Sequence, residues 1–409
     1  MRISLLTLIA LMLWSCTSRN HSFSLNNPLP VSRTDAGITL PRETVAGWMR
    51  IPENKIPYVS SRTDQKLVSQ ANDLNGDGKW DELFILADYD SLEAREVSLR
   101  FISPSAVPEV PVRTNIRLGD RKNNNTEISK AMRLNHAINT KTAELFQMEG
   151  PAWENDHVGF RNYLDLRNGM DIFGKTTAEM VLDSVGIEGF PGYHELSWWG
   201  MDILKVDKSL GAGSLAFDLN DSIYRLGDNG RSTFENVYEG PVRSALRFDF
   251  TGWKMGSDSL DASQLITIEA GKYCYESTVT VKNCEKPVLL VTGIVNKKSH
   301  ELHTVLLNSD FTAFYTLDHQ AEDSTLLGMA LMVSNSDLVN FGETPGTGEG
   351  ITETYFVRLK ITNTNPVSFR FYSFWERENP EWSDPSMIER ELKNEAALLS
   401  APIRLSDEE

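Results

Sequence analysis

Cysteine and positive charge are scarce in this chain of 409 residues. It has only three cysteines, and its 40 Lys and Arg stand against 57 Asp and Glu, so the formal net charge is −17. A nucleic-acid partner would need a basic footprint, which this balance argues against. Attraction of a polyanionic ligand must therefore come from a local cluster of cations.

The few cysteines also argue against a disulfide framework. If Lys272 to Cys284 is one continuous strand, as its alternation up to Lys282 indicates, Cys274 and Cys284 lie about 30 Å apart along it. Unless the strand folds back, we expect no bond between these two thiols.

The first cysteine stands at the end of a short apolar run. Met1 to Cys16 has Arg2, an apolar stretch and then Ser15-Cys16, which is typical of an export signal and too short for a permanent membrane helix. The cysteine resembles that of a bacterial lipobox. The pattern predicts a lipoprotein signal peptide over 1–16, lipidation of Cys16 and an exported, membrane-anchored protein that faces the periplasm. A secretory signal with an incidental cysteine is the alternative.

Several cofactor motifs are absent from the sequence. It has no phosphate loop, no dinucleotide fingerprint and no Gly-x-Ser-x-Gly elbow. His300 and His303 have no convincing third ligand, so a zinc site is not expected. We therefore expect neither a nucleotide nor a redox cofactor.

Alternating apolar and polar residues dominate the chain after its N terminus. The polar, proline-bearing residues 17–41 predict a flexible tether. Runs such as Val242 to Phe250 and Val367 to Phe374 then alternate between turns, without a long helical period. The pattern predicts an all-β fold, a large antiparallel β-sandwich, over 42–409. Asp384 and Pro385 open a helical pattern that predicts a C-terminal helix.

A domain boundary is predicted near three prolines. Pro104, Pro108 and Pro111 interrupt the alternation, so residues 42–110 are a candidate N-terminal β subdomain. The alternative is that these prolines are edge and loop residues of one continuous domain.

One acidic, glycine-containing turn resembles the first part of a calcium-binding loop. The candidate ligands are Asp73, Asn75, Asp77, Asp81 and the main-chain carbonyl of Lys79. The match stops at position twelve, where Phe84 replaces a bidentate glutamate. The turn predicts a structural Ca²⁺ site, and a turn that binds nothing is the alternative.

The segment from Phe160 to Arg167 alternates as a strand would. Arg161, Tyr163, Asp165 and Arg167 then share one face. On an ideal strand the two arginines lie about 20 Å apart, too far to clamp one carboxylate jointly. One is predicted to bind substrate while the other pairs with Asp165 or Asp171, and a paired or solvated surface charge is the alternative for either.

Just before this segment, Trp153 to His157 places two carboxylates together. Glu154 and Asp156 share one face and predict an acid/base pair, or one metal ligand and one partner for Arg161. Trp153 and His157 lie on the other face, as a candidate substrate contact and a candidate proton carrier. Ion pairs and turn contacts are the alternative roles.

A second aromatic block follows the Gly189–Gly192 loop. Tyr193 and His194 offer a phenol and an imidazole for proton transfer, and Trp198 and Trp199 offer a platform for a sugar ring. At least one of the two tryptophans is expected in the core, because neighbours on a strand face opposite ways. Lys205 and Arg243 are further candidates for substrate binding.

These blocks carry a resemblance to a family. The chain resembles the bacterial family called domain of unknown function 4861 through Asp73-Leu-Asn-Gly-Asp-Gly-Lys79, Gly150-Pro-Ala-Trp-Glu-Asn-Asp156, Asp171-Ile-Phe-Gly-Lys175, Trp199-Gly-Met-Asp-Ile-Leu-Lys-Val206 and Gly240-Pro-Val-Arg243. The resemblance implies a galactose-mutarotase-like supersandwich and a place in polysaccharide utilisation. It further implies β-elimination on uronate-containing oligosaccharides, by a dehydratase of a non-reducing-end uronate or by a lyase.

Elimination assigns three roles to the candidate residues. Arg161 or Arg167 would neutralise the uronate carboxylate, His194 or His157 would take the C5 proton, and Tyr193 or Tyr163 would protonate the leaving oxygen. Two other classes stay open. A non-catalytic glycan-binding lipoprotein would use the tryptophans alone, and a glycoside hydrolase or mutarotase-like enzyme would use Glu154 and Asp156.

Overall fold

The computed structural model describes residues 20–62, 66–133, 139–188, 192–225, 231–284 and 286–407. The predicted signal peptide and Cys16 lie outside these residues. Within the described ranges, no helix combines the length and the apolar character needed to cross a membrane.

Short strands joined by turns make up most of the protein. The strands of the first half are β1 (His21–Asn26), β2 (Arg33–Pro41), β3 (Ile56–Ser61), β4 (Val68–Asn72), β5 (Glu82–Tyr89), β6 (Ala94–Ile102), β7 (Thr114–Arg117), β8 (Gly119–Asp120), β9 (Thr126–Glu127), β10 (Lys130–Met132), β11 (Ala152–Asn155), β12 (Val158–Asn162), β13 (Met170–Lys175) and β14 (Gly200–Asp202). Those of the second half are β15 (Ala216–Leu219), β16 (Ser222–Arg225), β17 (Arg231–Tyr238), β18 (Arg243–Met255), β19 (Asp258–Glu269), β20 (Cys274–Lys282), β21 (Val288–Val295), β22 (His303–Leu306), β23 (Phe311–Asp318), β24 (Leu327–Ser334), β25 (Leu338–Glu343), β26 (Thr354–Ile361), β27 (Val367–Trp375) and β28 (Arg404–Asp407). The α-helices are α1 (Arg42–Trp48), α2 (Asn139–Leu145) and α3 (Pro385–Ser400).

Three sheets form the main sandwich. A nine-stranded sheet runs β10-β17-β18-β19-β20-β27-β24-β23-β22, and two five-stranded sheets run β14-β13-β12-β11-β7 and β16-β15-β21-β26-β25. Phe248 and Phe371 of the large sheet share one core with Phe160, Ile172 and Leu290 of the smaller sheets. The large antiparallel β-sandwich predicted from the alternation is confirmed.

Helix α3 covers the outer face of the nine-stranded sheet. On β27, Phe371 faces the sandwich core while Tyr372 and Phe374 face the helix, as expected for successive residues of a strand. The helix buries Ile388 and Leu392 fully against them, and each burial stabilises the fold by about 1.5–3 kcal/mol. Asp384 caps the helix by accepting a 2.8 Å hydrogen bond from the Ser386 amide. The predicted C-terminal helix and its cap are confirmed.

The N-terminal residues form a unit with a core of its own. A four-stranded sheet, β28-β1-β6-β3, packs with the three-stranded sheet β2-β5-β4. The tether predicted over 17–41 is wrong for residues 20–41, because β1 and β2 are strands within these sheets. Phe23 and Leu25 of β1 are fully buried, and β1 gains its stability from pairing with β6 and β28 rather than from local pattern.

Polar contacts join this unit to the sandwich near the predicted boundary, which falls between β6 and β7. Gln70 Nε2 donates to the Arg243 carbonyl at 2.7 Å, and Arg243 pairs with Glu82 at 3.0 Å. Arg113 pairs with Asp35 at 2.7 Å. Arg243 therefore holds two parts of the fold together, and its role in substrate binding stays a prediction.

The two cysteines of the sandwich are free thiols. Cys274 begins β20 and is buried, whereas Cys284 follows the end of that strand and is partly exposed. The expectation that they are not bonded to each other is confirmed.

Candidate active site

The segment predicted as one strand from Phe160 to Arg167 is broken by a turn. Strand β12 ends at Asn162, and Asn168, in a left-handed conformation with φ 49, donates its amide to the Asp165 carbonyl at 3.2 Å. The turn brings Arg161 and Arg167 to the same ring. Their Cζ atoms lie 4.4 and 4.1 Å from the centre of Tyr163. The predicted 20 Å separation is therefore wrong, because it assumed an unbroken strand.

Strand pairing builds a buried polar network around Arg161. Register places Arg161 of β12 opposite Asp171 of β13, and β13 pairs in turn with β14, which ends at Asp202. The Arg161 guanidinium lies 2.7 Å from Asp202 Oδ2 and 2.6 Å from the Tyr163 hydroxyl, and it also bonds Asp171 Oδ2. The side chain of Arg161 is fully buried.

The other edge of the guanidinium faces a second phenol and a third carboxyl group. Arg161 lies 3.3 Å from the Tyr193 hydroxyl and 3.6 Å from Glu149 Oε2. Tyr193 donates to Glu149 at 3.4 Å. We call this set, together with His194, the Arg161 network; it consists of Glu149, Arg161, Tyr163, Asp171, Tyr193, His194 and Asp202.

Burial and like charge keep protons in the network. Burial, reinforced by the neighbouring Asp171, holds the pKa of Asp202 well above its ordinary value. Burial likewise raises the pKa of Glu149, and it raises the pKa of Tyr193 to about 12. The network therefore carries fewer negative charges than its three carboxyl groups would have in water.

His194 brings this network to the surface. It ends the 3-10 turn Gly192–His194, its Nδ1 lies 3.6 Å from Asp202 Oδ2, and 33% of its side chain is exposed. Burial, together with the positive charge of Arg161, lowers the pKa of the imidazole. A neutral imidazole beside a carboxyl group that orients it is the arrangement expected of a general base.

The two tryptophans after His194 face opposite ways. Trp199 is buried and packs edge-on against Phe173 at 6.0 Å. Trp198 is 65% exposed, and its carbonyl accepts a hydrogen bond from Thr176 at 3.0 Å. The expectation that one of the pair lies in the core is confirmed, and Trp198 is the one free to contact a ligand.

The predicted pair of Glu154 and Asp156 is not a pair in the structure. Glu154 is fully buried, bonds Lys175 Nζ at 2.5 Å and accepts the amides of Val181 and Leu182. Asp156 instead bonds Arg113. The prediction assumed that the strand continues through Asp156, but Asp156 follows the end of β11. Neither carboxylate contacts Arg161, and Glu154 anchors the fold.

His157 belongs to a different cluster. Its Nδ1 lies 2.9 Å from Glu378 Oε1, and its ring lies 4.3 Å from the ring of Tyr273. Trp382 Nε1 donates to the other oxygen of Glu378 at 3.0 Å. None of these residues contacts a member of the Arg161 network in the described ranges, so the structure separates the two histidines.

The remaining candidates divide between core and surface. Trp153 is fully buried and packs against Tyr275 at 5.6 Å, so the predicted substrate contact is wrong: β11 turns this side chain into the core. Lys205 is exposed. Arg167 bonds Asp165 through both side-chain oxygens, which is the pairing that the sequence offered as an alternative.

The calcium-like loop holds itself closed with its own side chains. Asp73 accepts the amides of Gly76 and Gly78 at 2.7 and 2.8 Å. Asp77 accepts one amide at 2.8 Å. Although desolvation acts to raise it, the amide bonds of Gly78 and Gly76 hold the pKa of Asp73 below its usual value. In the described part of the chain, no three His, Cys, Asp or Glu side chains converge on a metal position, so calcium binding stays a prediction.

Sequence reasoning did not select three members of the network for a site role. Asp171, Asp202 and Glu149 come from separate segments, and only the register of β12, β13 and β14 brings two of them to Arg161. Asp171 was named as a possible partner of one arginine, and both Asp171 and Asp202 stand inside the motifs quoted above.

A family model agrees with the resemblance. The model named Domain of unknown function (DUF4861) matches residues 25–405. The chain belongs to this family. No curated protein matches it. The match begins inside β1, so the N-terminal unit is part of what the family shares.

Two solved structures resemble the DUF4861 protein in fold. An alpha-mannosidase from Enterococcus faecalis V583 has a TM-score of 0.50 at 10% identity, covering 95% of this chain and 46% of that chain. A protein in the glycosyl hydrolase family 38 from Enterococcus faecalis has a TM-score of 0.43 at 10% identity, with 95% and 47% covered. The chain spans about half the length of either protein. The first likeness concerns the fold alone and agrees with the supersandwich.

Proposed function

We propose that this protein is a carbohydrate-active enzyme that acts on uronate-containing oligosaccharides by β-elimination, as a dehydratase of a non-reducing-end uronate or as a lyase. The observation that carries the proposal is His194, a partly exposed imidazole held against the buried Arg161 network. A resemblance in fold to a carbohydrate-processing enzyme, the alpha-mannosidase, supports the substrate class.

The proposed chemistry needs one residue to move a proton twice. His194 takes the C5 hydrogen of the uronate, the electron pair forms the C4=C5 double bond, and the C4 oxygen leaves with the proton that His194 returns. Tyr163 and Tyr193 are less suited to the acid role predicted for them, because both hydroxyls point into the network. Nε2 of His194 is buried in the free protein, so the ring must turn outward when substrate binds.

Two exposed side chains that are close in sequence to His194 or Asp202 suit the substrate. Lys205 follows Asp202 by three residues and its side chain is exposed, so its charge is available to neutralise the uronate carboxylate. Trp198 offers an exposed ring on which a sugar can stack. Arg161 is too deeply buried to contact substrate and acts instead by positioning Asp202 beside His194.

Hydrolysis by Glu154 and Asp156 is the weaker alternative. A glycoside hydrolase needs two carboxyl groups that face the same bond across the substrate. Glu154 is fully buried against Lys175, and Asp156 is bound to Arg113. Neither is free to take the acid or base role, and this favours elimination.

Incubation with uronate-terminated oligosaccharides tests the proposal. We expect an ultraviolet absorbance that rises with the new conjugated alkene, together with loss of one water in the product mass for a dehydratase or cleavage for a lyase. Cleavage without the absorbance would identify a hydrolase. Unchanged mass across carboxylated oligosaccharides of several linkages, with binding retained, would show a binding protein and overturn the proposal.

We also propose that Ca²⁺ binds the loop of Asp73, Asn75, Asp77, Lys79 and Asp81 as a structural ion. A carboxylate has about four lone-pair sites, so Asp77, which accepts one amide, keeps acceptor capacity for a cation. Adding Ca²⁺ after chelation is expected to raise the melting temperature by about 2–4 °C. The double variant Asp73→Asn, Asp77→Asn should lose this response. An unchanged melting temperature in the parent protein would contradict it.

A further inference from the structure

A cavity of about 560 Å³ opens beside Arg167. Its walls include Arg167, Lys208, Thr352 and Glu353, and the glycine-rich turn over residues 346–348 lies across it. This volume falls within the range of small-molecule sites. Arg167 stacks on Tyr163 of the Arg161 network, but no residue of that network lines the cavity. The cavity is therefore a place distinct from His194.

The structure behind the cavity gathers arginines around one carboxylate. Arg167 bonds Asp165 at 2.7 Å. Arg133 and Arg225 lie nearby and donate most of their hydrogen bonds to main-chain carbonyls. Arg133 donates to the carbonyls of Tyr163 and Asp165. Among the described residues neither Arg133 nor Arg225 has a carboxylate in ion-pair contact. Three guanidinium groups thus share a single negative charge.

Arg225 also fixes the shape of the cavity wall. Its guanidinium donates to the carbonyls of Arg167 at 3.1 Å and Ser209 at 3.0 Å, and it bonds the Lys208 carbonyl. The two cationic residues that line the cavity are therefore held at a set spacing by a third cation. This arrangement is built into the fold and is not a chance meeting of surface side chains.

Lys208 supplies a cation that faces the cavity without a carboxylate partner. Its Nζ donates to the Gly348 carbonyl at 3.1 Å, and the described residues offer it no carboxylate. The acidic residues of the cavity are already engaged, since Lys297 pairs with Asp207 and lies 3.8 Å from Glu353. The local balance is five cations against three carboxylates (Arg133, Arg167, Arg225, Lys208 and Lys297; Asp165, Asp207 and Glu353), in a chain whose net charge is −17.

The turn over residues 346–348 forms one wall of the cavity. Its base is closed by backbone bonds from Glu353 to Pro345 at 3.0 Å and from Thr344 to Thr354 at 2.9 Å. Side chains added at Gly346 or Gly348 would meet nothing within 4 Å, so open space lies beside the turn at these two positions. Backbone without side chains allows the main-chain N–H groups to reach an anionic group.

We propose that this cavity is a second binding subsite, which takes an anionic group, carboxylate or sulfate, on a sugar residue other than the one that reacts. Lys208 contacts the anion, and Arg133, Arg167 and Arg225 provide the positive field behind it. The inference rests on the proposed function for its substrate class. It adds that the substrate is an oligosaccharide long enough to reach both His194 and the cavity, with charge on more than one unit.

Binding measured by calorimetry tests the subsite without relying on turnover. The mature full-length protein carrying His194→Asn would be titrated with tri-galacturonate, with a sulfated carrageenan oligosaccharide and with neutral maltotriose. We expect one anionic probe to bind, maltotriose not to bind, and Lys208→Met to weaken the anionic probe about tenfold. Tighter binding of tri-galacturonate indicates a carboxylate site, and tighter binding of the carrageenan oligosaccharide indicates a sulfate site. Lys254→Met, an exposed lysine on β18, serves as the matched control.

The outcomes separate this inference from the proposed function. If the protein eliminates uronate substrates but Lys208→Met does not change their affinity, the subsite is overturned and the activity stands. If binding depends on Lys208 but the wild-type protein turns over no substrate, the subsite is supported and the proposed activity is overturned. Equal effects of Lys208→Met and Lys254→Met, or no binding of either anionic probe, would also overturn the subsite.

Discussion

Replacement of Arg161 by methionine is expected to destabilise the protein by about 3–5 kcal/mol, because it leaves a buried polar cluster without its cation. Arg161 is fully buried and is in contact with Glu149, Asp171 and Asp202. Methionine fills much of the same volume but cannot donate to these carboxyl groups or to Tyr163. The free energy of unfolding, measured by urea denaturation, checks the prediction.

Arg247→Met is the matched control for this loss. Arg247 also pairs with two carboxylates, Glu235 and Asp249, but its side chain is 33% exposed. A partly exposed ion pair contributes about 0–1 kcal/mol. Equal destabilisation by the two substitutions would show that the Arg161 network is not the polar centre of the fold.

The variant His194→Asn is expected to lose turnover of uronate oligosaccharides by about 10²–10⁴-fold while its melting temperature stays close to that of the parent protein. Asparagine retains a polar side chain of similar reach, but it cannot carry a proton. The initial rate of alkene formation, together with a thermal melt of each protein, measures both parts of this result.

The pH profile of the parent protein gives a second check on the same residue. Burial and the charge of Arg161 lower the pKa of His194 from the ordinary value of a histidine. The imidazole therefore remains neutral, and able to act as a base, at pH values where an ordinary histidine is already protonated. We expect the acidic limb of kcat/KM to have its midpoint below the ordinary pKa of a histidine. A midpoint above that value would remove His194 from the role of base.

The fold was accessible from the sequence where local pattern and final environment agree. Alternation along Val367 to Phe371 reflects a strand that turns Val367, Phe369 and Phe371 into the sandwich core, and Tyr372 and Phe374 on its other face pack against α3. Asp384 as the N-cap and Pro385 as the first helical residue predict that helix from local sequence alone. The structure of residues 20–41 was not predicted from local pattern, because β1 is stabilised by β6 and β28, two strands that are distant in sequence.

The candidate site could be predicted from the sequence only in part, because a turn after β12 and the register of β12, β13 and β14 determine which residues meet. Arg161, Tyr163, Tyr193 and His194 were selected by residue chemistry and do meet. Their spacing was predicted wrongly, because nothing in the alternation of Phe160 to Arg167 shows that β12 stops at Asn162.

The carboxyl groups of the network were harder to find. Asp171 and Asp202 reach Arg161 through the pairing of β13 with its neighbours. Glu154 was predicted to form an acid/base pair with Asp156, yet burial against Lys175 gives it a structural role. Which carboxylate faces a cation is a property of the sheet and cannot be read from one strand.

The most direct test of the account compares two histidines in one assay. His194 and His157 are both partly exposed, and each has a carboxyl group near its Nδ1, Asp202 at 3.6 Å and Glu378 at 2.9 Å. The measurement is the initial rate of alkene formation from a uronate-terminated oligosaccharide by His194→Asn and by His157→Asn. The account predicts that the first variant loses turnover and the second keeps a rate close to that of the parent protein. Loss in His157→Asn with turnover retained in His194→Asn would place the active site at Glu378 and contradict it.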